Sequence, residues 1–296
     1  MHRLNSLKPR KYTIRWVTIL FLLPSIIAYI MFKYYPLFNM MYMSLFDYNV
    51  VNPPGKFIGL ANYKNFLQSE TFWNAIKNTF IFFGLYVGLT FWIPIVQALL
   101  LNHIKKANGF FRFMYLVPAV LPAVAGILVW KWMYNPDSGL LNYLLSYIGL
   151  GPYGWLNDTN ITKLAIVMPS VFAGSGISVL LYYAAIRSIP EDLIEAAQID
   201  GVGPWKRLWL IILPNIQFII VIQFIGFISS TLLAFDNIYV MTQGGPANST
   251  MVVSMLIVNN AFQQSRFGVA AAMSFFMFVL IGLITIIQQK FSNEKE

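Results

Sequence analysis

Six stretches of this chain contain no Asp, Glu, Lys, Arg or His and are each long enough to cross the hydrocarbon core of a bilayer. They are residues 16–32, 78–102, 113–130, 164–186, 208–235 and 267–289. A spanning helix needs about 20 apolar residues, with a range near 17–25. Backbone in lipid must satisfy its own hydrogen bonds, and for runs of this length the helix does so. The predicted fold class is therefore all-α, a polytopic membrane protein with six transmembrane helices. Composition agrees: 10% of the residues are charged and 58% hydrophobic, whereas a soluble domain carries about 25% charged residues.

The first stretch is near the lower limit and contains Pro24. It lacks a small-residue cleavage site before Lys33, so it reads as a retained helix rather than a removed leader. Two further uncharged stretches are broken by turn residues. Residues 138–157 hold Gly139, Gly149, Gly151, Pro152 and Gly154, and residues 237–265 hold Gly244-Gly245-Pro246 with Asn259, Asn260, Gln263 and Gln264. Both are expected to be loops with short surface helices.

Basic residues set the expected orientation. With the amino terminus inside, the cytoplasmic segments hold Arg3, Lys8, Arg10, Lys11, Arg15, Lys105, Lys106, Arg112, Arg187, Lys206, Arg207, Lys290 and Lys295, which is 13 of the 20. Both termini are then cytoplasmic. The net charge of +9 is thus a topological signal, and no nucleic-acid partner is expected. The absence of cysteine and the presence of only two histidines, His2 and His103, exclude thiol chemistry and clustered metal ligation.

The stretches carry neutral polar groups instead of ionisable ones: Gln97, Ser170, Ser175, Ser178, Gln217, Gln223, Ser229, Ser230, Thr231 and Ser274. Ion-coupled carriers depend on intramembrane charge, so an ATP-independent facilitator or secondary transporter of a neutral solute is the alternative rather than the first reading. No phosphate-binding Gly-x-x-x-x-Gly-Lys-Ser/Thr loop occurs, so any nucleotide is bound by another chain. Small polar residues commonly serve helix packing. Ser175, Ser178, Gln223 and Ser229, beside aromatics such as Phe172, Tyr182, Tyr183 and Phe227, also suit the lining of a path for a hydroxylated solute.

Between the fourth and fifth stretches lies RSIPEDLIEAAQIDGVGPWKRLWLIILP, residues 187–214. Its acidic cluster, Glu191, Asp192, Glu195 and Asp200, falls where basic residues are expected. Ser188, Pro190 and Glu191 read as a helix start with Ser188 as the cap. Leu193, Ile194, Ala196 and Ala197 form an apolar face, and Gly201 with Gly203-Pro204 ends the helix. Alanines at its centre admit the close approach of another backbone, unlike the large side chains of a lipid-facing helix. The segment reads as a docking element, with an amphipathic connector as the alternative.

Glu195-Ala196-Ala197, three residues, Gly201, nine residues and Ile211-x-Leu213-Pro214 resemble the EAA motif of binding-protein-dependent ABC importer permeases. FIGLANYKNF (57–66), PAVLPAVAGILVWKWMYNPDSGLLN (118–142) and FDNIYVMTQGGPANST (235–250) resemble the carbohydrate branch, the maltose and glycerol-phosphate type. The resemblance implies a type I importer permease of a bacterial plasma membrane, a five-helix core (76–289) preceded by one helix and an outer loop (16–75), between cytoplasmic tails 1–15 and 290–296. It implies a coupling helix at 188–204 whose Glu191, Asp192, Glu195, Ala196, Ala197, Asp200 and Gly201 meet a cytoplasmic ATPase dimer. It also implies a second, non-identical permease subunit, an extracytoplasmic solute-binding protein and a sugar, an oligosaccharide, as cargo. ATP and Mg would sit on the ATPase, with no cofactor and no catalytic residue on this chain.

Overall fold

The computed structural model describes residues 16–49, 53, 55–104, 106, 108–120 and 122–293. The tail 1–15, Lys105 and Lys295 lie outside the described residues. α1 (Trp16–Tyr29) passes through a π-helical turn (Ile30–Tyr34) into α2 (Tyr35–Met43), and α3 (Ala61–Leu67) sits in the loop that follows. The second span is α4 (Glu70–Leu89) with α5 (Ile93–His103); the third is α6 (Asn108–Val120) with α7 (Ala123–Met133). After the short α8 (Leu140–Ser146) come α9 (Thr162–Ala173) and α10 (Gly176–Arg187), which form the fourth, then α11 (Glu191–Ile199) and α12 (Pro204–Arg207). A second π turn (Leu208–Ile212) leads to α13 (Leu213–Asn215), α14 (Gln217–Leu232), α15 (Asp236–Thr242), α16 (Val253–Val258) and the last span, α17 (Phe267–Asn293).

Among the described residues four helical segments are long and apolar enough to cross: Ile19–Met43, Glu70–His103, Gln217–Thr242 and Phe267–Lys290. Two more spans are bent pairs, Asn108–Pro118 with Ala123–Met133 at 85° and Thr162–Phe172 with Gly176–Arg187 at 52°. Each bent pair taken as one span gives the expected six. Among the described residues the only β pairing is the isolated bridge Phe46–Phe57.

Prolines account for most of the interruptions. A proline lacks an N–H and its ring crowds the carbonyl four residues back, so the preceding turn loosens or breaks. Pro36 follows the first π turn, Pro94 opens α5 after the break at Thr90–Trp92, and Pro214 opens α13 after the second π turn. The fifth span is accordingly not one helix from 208 to 235: it is interrupted at Ile216 and continues as Gln217–Thr242.

Two further expectations need correction. The first helix does not stop before Lys33 but runs on to Met43. Lys33 lies 5.2 Å from the Tyr29 ring centroid, and a long stem lets such an ammonium reach the interface. The stretch 237–265 does contain short helices, but they are not on the surface. Ile238, Met241, Val253 and Met255 are buried in them, because α15 and α16 fill space between the spans.

The interior divides into three apolar clusters. One joins Tyr86, Ile127, Ile166, Ile238 and Met255, and a second joins Phe66, Phe72, Ile228, Val253 and Met277. A third, toward the opposite ends of the spans, joins Ile95, Leu101, Val179, Tyr183, Ile186 and Ile216. The first span contributes to none of them, and 0% of its apolar window is buried against 39% for Glu70–His103.

Candidate functional site

Between the clusters, the second, fourth and fifth spans face one another across a cavity of ≈ 360 Å³. The α4–α5 break supplies Thr90 and Phe91, the α9–α10 bend supplies Gly174, Ser175 and Ser178, and α14 supplies Gln223, Gly226 and Ser230. Tyr86, Ser170, Tyr182, Phe227 and Thr231 complete a wall with no charged residue. Backbone released from helical pairing is tolerated at membrane depth where it lines such a cavity.

Gly174 makes the bend possible. Its φ of 59° and ψ of −166° fall in a region open essentially to glycine alone, and an added Cβ would lie 2.9 Å from Oε1 of Gln97. Ser175 then caps α10: its Oγ accepts the Ser178 N–H at 3.4 Å and the Ser178 hydroxyl at 3.0 Å. Close packing fixes the start of α10 against α6, since a Cβ on Gly176 would stand 1.8 Å from the Tyr115 carbonyl oxygen. The Tyr182 hydroxyl and Gln97 Oε1 are buried without a hydrogen-bond partner among the described residues.

Of the four expected path residues, the cavity brings together Ser175, Ser178 and Gln223. Ser229 is not in its wall; the neighbouring Ser230 is. Helical phase explains the difference. Positions 223, 226, 227 and 230 recur on one face of α14, and one residue along a helix turns the side chain by about 100°. That spacing and the Gly-Ser-Gly interruption at 174–176 were the available signals. Tyr182 and Phe227 line the cavity, whereas Phe172 is exposed beside Trp130 and Tyr183 is held by Arg112 and Asn108.

The 187–214 loop forms α11 and α12. Ser188 does not cap α11: its hydroxyl donates to the Ala185 carbonyl at 2.8 Å and so closes α10. The residue before α11 is Pro190, with no side-chain cap. Glu191 and Asp192 fall in the first turn of α11, where the free amides favour negative charge. At the other end Gly201 has φ 72°. Its N–H bonds to Gln198 O at 3.1 Å and Val202 N–H bonds to Ala197 O at 2.9 Å, the paired closure of a left-handed helix end. Glu195, Ala196 and Asp200 are exposed, and so is Ile199 at 86%. Ala197, by contrast, is 6% exposed and faces the chain's own interior, so it is not free to touch another protein.

Residues 96–295 match the family described as binding-protein-dependent transport system inner membrane component. The trehalose/maltose transport system permease protein MalF of Thermococcus litoralis is 32% identical over 286 residues, covering 97% of this chain and 96% of that one. The lactose transport system permease protein LacF of Rhizobium radiobacter is 32% identical, with 94% of each chain covered. A chain in the crystal structure of a bacterial ABC transporter that imports the acidic polysaccharide alginate superposes with a TM-score of 0.83 at 27% identity, over 94% of this chain and 96% of that chain. With the EAA-type loop, the broken spans and this match in place, the chain belongs to the family of binding-protein-dependent transport system inner membrane components, the permease subunits of ABC importers.

Proposed function

We propose that this chain forms half of the transmembrane path for an uncharged oligosaccharide, with a second permease subunit forming the other half. The observation that carries the reading is the cavity between two broken spans and α14. Its wall offers hydroxyls, one carboxamide and aromatic faces and no charge. A saccharide presents hydroxyls and flat apolar faces, so such a wall can hold it by a few placed hydrogen bonds and ring contacts. The names of the relatives for trehalose/maltose and lactose support sugar as cargo. An acidic polymer would meet no basic group on this half of the path.

An extracytoplasmic solute-binding protein delivers the sugar, and a separate ATPase dimer holding ATP and Mg drives the cycle from the cytoplasm. The loop at 188–204 is its docking point: α11 offers Glu195, Ala196 and Ile199 outward, with Glu191, Asp192 and Asp200 around them. The ATPase shifts the path between inward-open and outward-open states only to the extent that its own two states bind this loop differently.

Reconstitution with the cognate ATPase and binding protein tests the reading. ATP-driven uptake of a neutral oligosaccharide, and none of a uronate oligomer, is the expected result; uptake without ATP would make the chain a facilitator. Sidedness is tested by single cysteines in a chain that has none. Impermeant label should reach positions 151 and 244 from outside and 105 and 203 from inside.

A further inference from the structure

The neutral lining of the cavity stops at one level. On α10 it runs through Ser175, Ser178 and Tyr182, and on α14 through Ser230, Phe227 and Gln223. Steps of three or four residues keep each set on one helix face. α10 leads into the 188–204 loop and α14 comes back from it, so Tyr182 and Gln223 mark the loop-side end of both sets. The next positions on those faces, Ala185 on α10 and Ile219 and Ile220 on α14, pack against the third apolar cluster. Of the residues that line the cavity, Tyr182 alone belongs to that cluster, with Ile95 and Ala98 of α5 and Ile216 at the start of α14. It is 1% exposed, and its hydroxyl has no hydrogen-bond partner among the described residues. Gln97 Oε1 is orphaned in the same way, on α5 and against the Gly174 bend.

We infer that Tyr182 is the loop-side gate of the cavity, closed in this conformation and held near balance by its unpaired hydroxyl. The inference rests on the reading of the cavity as the solute path. To continue toward the loop, that path must part α10 from α5 and α14, and the Tyr182 ring fills the seam between them. Two effects oppose each other there. Burial of the ring among aliphatic side chains favours closure. The hydroxyl, stripped of water and given no partner, raises the free energy of the closed seam. Once the seam parts, water or a sugar hydroxyl can bond it, and the Gln97 carboxamide gains an N–H or O–H donor likewise. A purely apolar plug would seal as well and open less readily. Tyr182 stands six residues before Ser188 on α10, so a modest difference in how the loop is held can move the gate.

The test uses the complete transporter in inverted vesicles, with Ser230→Cys in the cavity wall as reporter and an impermeant maleimide added to the loop side without nucleotide. Tyr182→Phe removes only the oxygen. Labelling should slow about tenfold, the equivalent of one unmade hydrogen bond, and the unfolding temperature in detergent should not fall. Gln97→Met should slow labelling in the same direction. Tyr182→Ser removes the ring, and should speed labelling and let a neutral sugar leak without ATP. Unchanged or faster labelling in Tyr182→Phe overturns the inference, and so does a lower unfolding temperature, because the hydroxyl would then serve a bond that holds this conformation together. A parent reporter that is never labelled from the loop side overturns it as well, since a gate near balance must open. ATP-driven uptake by the parent reports separately on the path. Uptake with labelling unmoved by Tyr182→Phe refutes the gate alone, whereas slowed labelling without any uptake supports the gate and refutes the importer reading.

Discussion

Thr90, Ser175 and Ser230 stand on separate segments around a cavity without charge, whereas Glu191, Asp192, Glu195 and Asp200 lie within ten residues on and beside one exposed helix. The cavity is concave, lined by neutral donors and acceptors, and shaped by two breaks in spans that face the unbroken α14. The loop is convex, acidic, and shaped by one nine-residue helix with a glycine closure. Weak, reversible contacts suit a passing solute, since groups without charge need no counter-ion as the site opens. A protein partner can instead match a dense set of charges and small side chains once and keep them. Damage should therefore show differently in the two regions, in uptake alone for the cavity and in assembly or coupling for the loop.

The largest effect is expected at Gly201→Val. Nothing lies within 4 Å of a Cβ there, so the cost is the positive φ alone, about 1–2 kcal/mol for an ordinary residue and more for a branched one. The spans should insert normally while ATP-driven uptake falls below about a tenth, because the α11 exit sets how the loop is presented. Normal uptake would show that the loop needs no fixed geometry.

Next come the paired alanines. Ala196→Trp should leave thermal stability unchanged and abolish co-purification with the ATPase. Ala197→Trp should instead destabilise the permease by about 1–3 kcal/mol through overpacking, read as a lower unfolding temperature in detergent. Equal behaviour of the two variants would contradict the burial difference between them.

Cavity variants should be milder. Gly174→Ala forces the bend out of its glycine-only conformation at about 1–3 kcal/mol and should reduce uptake about tenfold with ATPase binding intact. Ser230→Ala should cost about fivefold in uptake, the worth of one neutral hydrogen bond, and Ser229→Ala less than about twofold. If Ser229 proves the more sensitive, α14 is turned the other way and the cavity is not the path.

The loop could be read from the sequence because its residues are consecutive. A proline-led acidic turn, a small apolar centre and Gly201 announce a helix start, face and stop within fifteen positions. Ser188 was misread because a hydroxyl between two helices can serve either, and here it closes the one before. The six spans were equally legible, being long and uncharged. Their breaks were less so: each proline marks a possible interruption, yet Pro24 and Pro169 sit inside α1 and α9. The cavity required helices distant in sequence to meet, and no local pattern encodes which face of α14 turns toward α10. The burial of α15 and α16 was hidden for the same reason, because glycine and asparagine content signals turns without saying what covers them.

α10 leads directly into the α11–α12 loop: Ser188 closes it at one end, and Ser175 caps it inside the cavity at the other. Twelve helical residues make a rod about 18 Å long. Gly176 presses one end of that rod against the Tyr115 carbonyl of α6, leaving no room there for sliding and making that contact a fulcrum. A tilt of 10° about it would carry the loop end through roughly 3 Å, given that rod length. On the proposed docking of an ATPase at that loop, transmission is mechanical rather than chemical, a lever arm of a single helix. Its gain is set by helix length, so inserting two turns, about seven residues, into α10 would lengthen the throw and change the phase by only about 20°.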